Sequence, residues 1–161
     1  KKFKFKAKIA RPFNNYGPGM SINDKRLIPD LIQNILKNKN MHIYSDGKPT
    51  RTFCYVADAI IGYIKLLVKG KNLSSYNIGS DKNEISVYNL AKILKSISSK
   101  MINFRGRIVK KINNDKNYLN DNPNRRKPDI KKSYNDLNFK SKILLKTGLY
   151  NTLMYFLNYK D

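Results

Sequence analysis

The chain has 161 residues, of which 40% are hydrophobic, so it is long enough to fold as one domain with a core of its own. Its 33 lysine and arginine residues outnumber 11 acidic residues, which gives a net charge of +22. No apolar run reaches the roughly 20 residues that span a bilayer, and no signal peptide opens the sequence, so we expect a cytoplasmic, soluble protein without a membrane partner.

The high positive charge raises nucleic-acid binding as an alternative function. However, lysine is spread along the whole sequence together with many Asn, Ile and Tyr residues, a composition typical of AT-rich genomes. The sequence has no helix-turn-helix, RNA-binding or zinc-finger pattern. We therefore keep nucleic-acid binding as the lesser alternative, which predicts non-specific binding that weakens steeply with salt.

The first predicted elements are a strand over residues 3–13 and the turn Tyr16–Gly19 that ends it. The segment Asp24–Arg26 leads into a predicted helix from Leu27 to about Lys37, because apolar residues recur three and four positions apart. The segment 42–44 is predicted to be a short strand, closed by a turn that contains glycine and proline.

The next segment, Phe53–Val56, is apolar and contains the only cysteine, Cys54. A single cysteine excludes an internal disulfide and a cysteine-based zinc site, and its apolar neighbours predict a buried, structural thiol. Asp58 is predicted to cap the N-terminus of a helix that ends before Gly70. The apolar residues that define this helix are Ile60, Ile61, Ile64, Leu67 and Val68.

The rest of the sequence alternates short strands and helices, which is typical of an α/β chain with crossover connections. Ser86 is predicted to open a helix that continues to Ile97. The other predicted elements are strands at 75–79, 101–104 and 107–112, a polar loop at 113–124, and a helix from Leu149 to about Leu157.

Seven arginines stand out in so lysine-rich a chain. A planar guanidinium grips an oxyanion through two parallel hydrogen bonds, whereas an ammonium is a point charge. Taken singly, each arginine is better explained by a surface salt bridge. Five of them fall in turn-like segments beside Asn and Tyr, and together they favour a ligand that carries phosphate. These five are Arg11, Arg26, Arg51, Arg125 and Arg126.

Six segments occur in the order and spacing of one enzyme family. They are RPFNNYGP at 11–18, RLIP at 26–29, IYSDG at 43–47, TRTFCYVAD at 50–58, YNIG at 76–79 and NPNRRKPDI at 122–130. Through them the chain resembles the extended short-chain dehydrogenase/reductase enzymes that act on nucleotide sugars, from about residue 5 to 157. Within that family it is most similar to the UDP-glucuronate decarboxylases, with dTDP-glucose 4,6-dehydratases and UDP-glucose 4-epimerases as further relatives.

The resemblance implies an α/β fold in which residues 1–20 form the last strand of a Rossmann-like parallel sheet and a hinge. Residues 21–161 then form the smaller α/β lobe that binds the substrate, and the N-terminal NAD-binding portion is missing from this sequence. The implied cofactor is NAD, with Arg11 against its nicotinamide end. One of Arg125 and Arg126 is expected to contact the substrate diphosphate. The implied substrate-binding residues are Asn14, Arg26, His42, Tyr44, Arg51, Asn77, Arg125 and Arg126.

The chemistry of the family requires a glycine-rich phosphate turn and a catalytic Tyr-x-x-x-Lys pair, neither of which we expect in this chain. Gly17 and Gly19 flank a proline in a turn that ends a strand. Two Tyr-x-x-x-Lys matches, at 44–48 and 88–92, are about what chance gives in a sequence with 11 tyrosines and so much lysine. We therefore predict no catalytic residue and no metal ligand here.

The resemblance implies an enzyme in which NAD oxidises the sugar at C4, carbon dioxide leaves from C5, and the hydride returns, which converts UDP-glucuronate to UDP-xylose. We predict that this chain is the nucleotide-sugar-binding part of such an enzyme and is inactive alone. Its predicted partner is a second copy in a homodimer, or a Rossmann half on another chain. Open alternatives are part of a dTDP-glucose 4,6-dehydratase or UDP-sugar 4-epimerase, a non-catalytic nucleotide-sugar-binding remnant, and a nucleic-acid-binding protein.

Overall fold

The computed structural model describes residues 6–111 and 123–159. Its strands are short, and most follow or precede a helix. The strands are β1 Lys8–Pro12, β2 Asn15–Tyr16, β3 Met41–Ile43, β4 Thr50–Arg51, β5 Cys54–Tyr55, β6 Ser74–Ile78, β7 Ile85–Ser86, β8 Ile108–Lys110 and β9 Arg125–Arg126. The helices are α1 Leu27–Leu36, α2 Val56–Lys69, α3 Val87–Ile102, α4 Lys131–Leu137 and α5 Leu145–Asn158.

The strands form four small sheets, and parallel pairing dominates them. Three are two-stranded parallel pairs, β1 with β6, β2 with β5 and β3 with β8. The fourth has the order β7-β4-β9, in which β4 is antiparallel to β7 and parallel to β9. Parallel strands joined through helices confirm the predicted α/β fold class.

The larger of two hydrophobic cores lies between α1, α3, α5 and β3. The apolar residues of α1 recur at helical spacing, and Ile28, Leu31, Ile32 and Ile35 are all buried. They pack with residues such as Leu94 of α3 in the same cluster. This core supports the short strand β3, which carries the predicted substrate residue His42 and is followed directly by Tyr44.

A smaller core joins α2 to the β1–β6 pair. It contains Ala59 and Leu66 of α2 together with Tyr76 and Ile78 of β6. Among the residues that the structure describes, no strand pairs with the other edge of β1. Ile9 on this strand is 51% exposed.

The helix α2 ends at Lys69, before Gly70, as predicted, but the predicted N-cap is wrong. Asp58 is not the N-cap, because Tyr55 holds that position and Asp58 lies in the first turn. Its buried carboxylate instead accepts hydrogen bonds from the backbone N–H groups of Lys142 and Ile143, each at 2.8 Å. Two amides in the loop before α5 thus share one acceptor in α2, and this long-range contact takes the place of a local cap.

The apolar residues that define α2 are also exposed, although their pattern is that of a core-facing helix. Nearly the whole circumference of α2 is apolar, so only one side can face the small core. That side carries the buried residues Ala59 and Gly62. Gly62 packs so closely on the core that a Cβ at this position would lie 2.8 Å from atoms of Ile78 and Phe139. The residues left at the surface, between 49% and 74% exposed, are Ile60, Ile61, Ile64, Leu67 and Val68.

The predicted ends of α1 and β6 agree with the structure to within one residue, and the Oγ of Ser86 caps α3 as expected. The strand predicted at 101–104 is wrong, because α3 runs to Ile102 and Asn103 ends it with a left-handed φ of 53°. The strand predicted from Arg107 is reduced to β8.

Further differences concern the second half of the chain. The final helix starts at Leu145, four residues before the predicted start, and α4 was not predicted. Arg51, Arg125 and Arg126 lie in short strands and not in turns. Most of the predicted polar loop, residues 113–122, lies outside the described residues, as do Ile112 and residues 3–5. Within the described ranges, no helix has both the length and the apolarity that crossing a bilayer requires.

Candidate functional site

A cavity of about 540 Å³ opens between the start of α1, the end of β3 and the strands β4 and β9. Its volume is in the range of sites for small molecules, roughly 300–1,000 Å³. The cavity brings together six of the eight predicted substrate residues, although they come from five separate parts of the sequence. These six are Asn14, Arg26, His42, Tyr44, Arg51 and Arg126.

Two guanidinium groups from adjacent strands line one wall of this cavity. Arg51 of β4 and Arg126 of β9 are direct partners in the parallel register, so their side chains leave the sheet on the same face. Arg51 is 7% exposed, and its Nη1 donates to the carbonyl of Thr50 at 2.8 Å. This wall therefore offers two planar cations to a ligand with several oxyanions.

Arg125, the neighbour of Arg126, does not line the cavity. Its Nε and Nη2 donate to the two carboxylate oxygens of Glu84 at 2.8 and 2.9 Å. The hydroxyl of Thr50 donates to the same carboxylate at 2.6 Å. These hydrogen bonds, first from Arg125 and then from Thr50, lower the pKa of Glu84 to about 2. The geometry thus favours Arg126 over Arg125 as the arginine that reaches a ligand.

The aromatic wall of the cavity is formed by the end of β3. The rings of His42 and Tyr44 lie with their centroids 6.4 Å apart, tilted by 45°. Both residues line the cavity, and Tyr44 is half-exposed. This wall suits a planar ring more than an anion.

Asn14 and Arg26 line the cavity and also form hydrogen bonds to neighbouring loop residues. Asn14 has a left-handed φ of 45°, and its Nδ2 donates to the carbonyl of Thr52 at 2.8 Å. Arg26 donates from Nε to Asp24 at 2.6 Å and from Nη1 to the carbonyl of Asn15 at 3.3 Å. The hydrogen bond from Arg26 lowers the pKa of Asp24. Both side chains thus have structural contacts in addition to a place on the cavity wall.

Sequence reasoning missed Asp30 as a residue of the cavity. Asp30 follows Leu27 by one helical turn in α1, so both lie on the face that lines the cavity. Partial burial raises the pKa of its carboxyl, and the negative charge of Asp24 adds to this effect. It is the only acidic residue in α1, which was the available signal.

The two remaining predicted residues, Arg11 and Asn77, lie outside the cavity wall. They are register partners in the β1–β6 pair, at the carboxyl end of both strands. Asn77 donates from Nδ2 to the carbonyl of Asp129 at 2.8 Å, so its amide ties β6 to the segment before α4. Arg11 is exposed.

The described residues do not form a dinucleotide site. Gly17 and Gly19 have positive φ, but they follow β2 in a turn that does not lead directly into a helix. The Tyr-x-x-x-Lys match at 88–92 lies in α3, where the Nζ of Lys92 lies over the ring of Tyr88, 4.8 Å from its centroid. The described part of the chain has no group of three metal-ligating side chains. The contact of Arg11 with NAD remains a prediction, and no redox step follows from the described residues.

Comparison with known proteins identifies the family to which the first half of the chain is similar. Residues 1–79 match the family described as "NAD dependent epimerase/dehydratase family". This part of the chain belongs to the NAD-dependent epimerase/dehydratase family. The resemblance to extended short-chain dehydrogenase/reductase enzymes is therefore confirmed, and the cofactor of the family is NAD.

Curated relatives include UDP-glucuronic acid decarboxylase 1 of Arabidopsis thaliana, which is 33% identical over 144 residues. That match covers 88% of this chain but only 30% of the relative, so the chain spans less than a third of that protein.

Solved structures give the same result. A UDP-glucose 4-epimerase of Thermotoga maritima with UDP-glucose is 25% identical with a TM-score of 0.82, and the match covers 95% of this chain and 46% of that one. A UDP-glucuronic acid 4-epimerase of Bacillus cereus in complex with UDP-glucuronic acid and NAD is 26% identical, with a TM-score of 0.76 and coverages of 93% and 45%. The fold of this chain is that of the corresponding part of these enzymes.

Proposed function

We propose that the cavity binds the nucleoside diphosphate of a nucleotide sugar, with UDP-glucuronate as the first candidate. The chain would then be the substrate-binding part of a decarboxylase. The observation that carries this proposal is the pair Arg51 and Arg126, which stand in register on one face of the β4–β9 pair and line the cavity.

The charge of this wall supports a diphosphate ligand. A diphosphate presents several oxygens to two guanidinium groups, which favour such bidentate contacts. The net charge of +22 further attracts an anionic ligand to the protein.

The aromatic wall supports a nucleoside at the other end. Tyr44 and His42 offer ring faces, and Met20 and Phe53 add apolar surface to the same cavity. A cavity lined by aromatic and apolar groups with a few convergent polar ones is typical of small-molecule sites. Asp30 adds a carboxylate that can accept hydrogen bonds from hydroxyl or N–H groups.

UDP-glucuronate is the first candidate because curated relatives that match 88% of the chain are UDP-glucuronic acid decarboxylases. We further propose that the chain binds this ligand without converting it, since the described residues offer no site for NAD and no suitable proton-transfer pair. Assembly with a second copy or with a Rossmann half, and a cytoplasmic location, remain predictions.

Calorimetric titration of the chain with UDP-glucuronate at moderate salt tests the proposal. We expect binding by the unmodified chain, and roughly tenfold or greater weakening in Arg51→Ala and Arg126→Ala, because each removes a charge-assisted contact to phosphate. Arg105→Ala is the matched control, since Arg105 is exposed, lies outside the cavity and carries the same charge.

The same titration separates the alternatives. Equal loss in all three variants, together with equal affinity for a single-stranded oligonucleotide, would indicate non-specific attraction of polyanions. Absence of any UDP-dependent heat in a folded sample contradicts the proposal. Tighter binding of dTDP-glucose or UDP-glucose than of UDP-glucuronate would assign the site to a dehydratase-like or epimerase-like substrate.

A further inference from the structure

The β7-β4-β9 sheet presents two chemically different faces. On one face, Arg51 of β4 lies opposite Arg126 of β9, and both line the cavity. On the other face, Thr50 of β4 lies opposite Arg125 of β9. This alternation follows from the pleat of a strand, in which successive side chains leave opposite faces.

The two cavity arginines, Arg51 and Arg126, depend on one short ladder for their alignment. The parallel pairing of β4 with β9 covers only two residues on each strand, and it includes the bonds from Thr50 N–H to Asn124 at 2.8 Å and from Thr52 N–H to Arg126 at 3.3 Å. So short a ladder needs further contacts to hold its register.

The opposite face provides these contacts through Glu84, which precedes β7. One carboxylate oxygen of Glu84 accepts from the Thr50 hydroxyl at 2.6 Å and from Arg125 Nε at 2.8 Å, and the second accepts from Arg125 Nη2 at 2.9 Å. Glu84 thus joins β4 to β9 at the level where the two cavity arginines meet. We call these three residues, Thr50, Glu84 and Arg125, the Glu84 latch.

We propose that Glu84 is a positioning residue for the anion site: the Glu84 latch holds β9 in register with β4 and so directs Arg126 into the cavity beside Arg51. Glu84 does not line the cavity, so its effect on a ligand there would pass through Arg126. This inference rests on the proposed function of the cavity, and it adds a residue on the far side of the sheet to the phosphate site.

An ordinary surface ion pair is the simplest alternative. Exposed pairs contribute little, because side-chain entropy and solvent screening oppose them. The Glu84 latch differs in its bidentate geometry, in the added hydroxyl donor and in its attachment to a two-residue strand. The chain offers a matched control in Asp136, whose carboxylate accepts from a hydroxyl, Tyr76 at 3.0 Å, and from a lysine, Lys71 at 3.2 Å, far from the cavity wall.

The test is a double-mutant cycle on the affinity for UDP. Glu84→Gln is expected to weaken UDP binding about tenfold, because one charge-assisted contact is misplaced, while Asp136→Asn leaves the affinity within twofold. In an Arg126→Ala background, Glu84→Gln is expected to have no further effect, since the residue through which it acts is gone. Unchanged affinity in Glu84→Gln, or an equal loss with and without Arg126, overturns the inference.

Hydrogen exchange without ligand supplies an independent readout. The amides of Thr50 and Thr52, which bond to the β9 segment, should exchange faster in Glu84→Gln and not in Asp136→Asn. If the unmodified chain fails to bind UDP and these amides still respond, the proposed function fails while the role of Glu84 in holding β9 stands. Unchanged exchange of both amides contradicts that role as well.

Discussion

The region around the cavity and the region around α2 bury their apolar residues to very different extents. Around the cavity, α1, α3 and α5 enclose a core in which Leu94 is 0% exposed. Around α2, the core is small, and Leu67 on the outer side of the helix is 74% exposed. The same residue type, in helices of the same chain, thus has nearly opposite environments.

This difference shows which surfaces are satisfied by contacts within the described chain. The described residues supply both the walls of the cavity, with its two arginines, and the core that supports them. Within the described ranges, one edge of β1 has no strand partner, and α2 is apolar on nearly all sides. A helix of that kind is usually buried on all sides. The matching enzymes are more than twice as long as this chain, which agrees with the contrast.

The largest expected effect comes from substituting one leucine in each region. Leu94→Ala should lower the free energy of unfolding by about 3 kcal/mol, because it leaves a cavity in a packed core, whereas Leu67→Ala should change it by less than about 0.5 kcal/mol. Urea unfolding followed by circular dichroism measures both values. Equal losses would break the comparison, because Leu67 would then be buried in solution.

A smaller effect is expected at Asp58, which connects the two regions. Asp58→Ala removes the acceptor for the backbone amides of Lys142 and Ile143 and should cost about 2 kcal/mol in unfolding free energy. Asp58→Asn keeps an oxygen that can accept from both amides, so it should cost less than half as much. A smaller loss for alanine than for asparagine would show that these bonds do not form.

The pH dependence of the Glu84 latch sharpens the comparison on the side of the cavity. Because the pKa of Glu84 in the folded protein is about 2 and lies below its ordinary value, its contribution is present above about pH 4.5 and is lost as pH falls towards 2. The difference in urea midpoint between the unmodified chain and Glu84→Gln should thus be constant from pH 5 to 9 and shrink in acid. A difference that grows as pH falls contradicts the assignment.

The smallest effect is expected at Cys54, which lies in the core shared with α2. Burial, with a further contribution from Asp58, raises the pKa of this thiol to about 12. The thiol should therefore react with a disulfide reagent at pH 8 only at the rate of local or global opening. Denatured chain is the control for full reactivity. Immediate labelling of the folded chain would mean that the α2 region is open in solution.

The sequence was sufficient for the elements that rest on local signals. The spacing of Ile28, Leu31, Ile32 and Ile35 located α1, and the ordered motifs pointed to six residues that the fold gathers in one cavity. It failed where long-range contacts decide the outcome. Asp58 satisfies amides 84 and 85 positions away, and β4 and β9 exist only because they pair across the fold.

The structure was also needed to show which of the two neighbouring arginines, Arg125 or Arg126, lines the cavity. The pleat of β9 puts Arg125 and Arg126 on opposite faces, but nothing local in the sequence shows which of them faces the cavity; the position of Glu84 does. The periodicity of the sequence also could not predict which side of α2 faces outward. An all-round apolar pattern does not indicate which side finds a partner first.

A crystal structure of the chain with UDP-glucuronate would test the central claim, that the anion site is built by two arginines in register. The expected result is a diphosphate between Arg51 and Arg126, with the uracil ring against Tyr44. The contradictory result is a diphosphate in another cavity, of about 300 Å³, whose lining includes Lys82, Lys140 and Lys142 but no arginine. That outcome would show that the diffuse lysine charge, and not the arginine pair, selects the ligand.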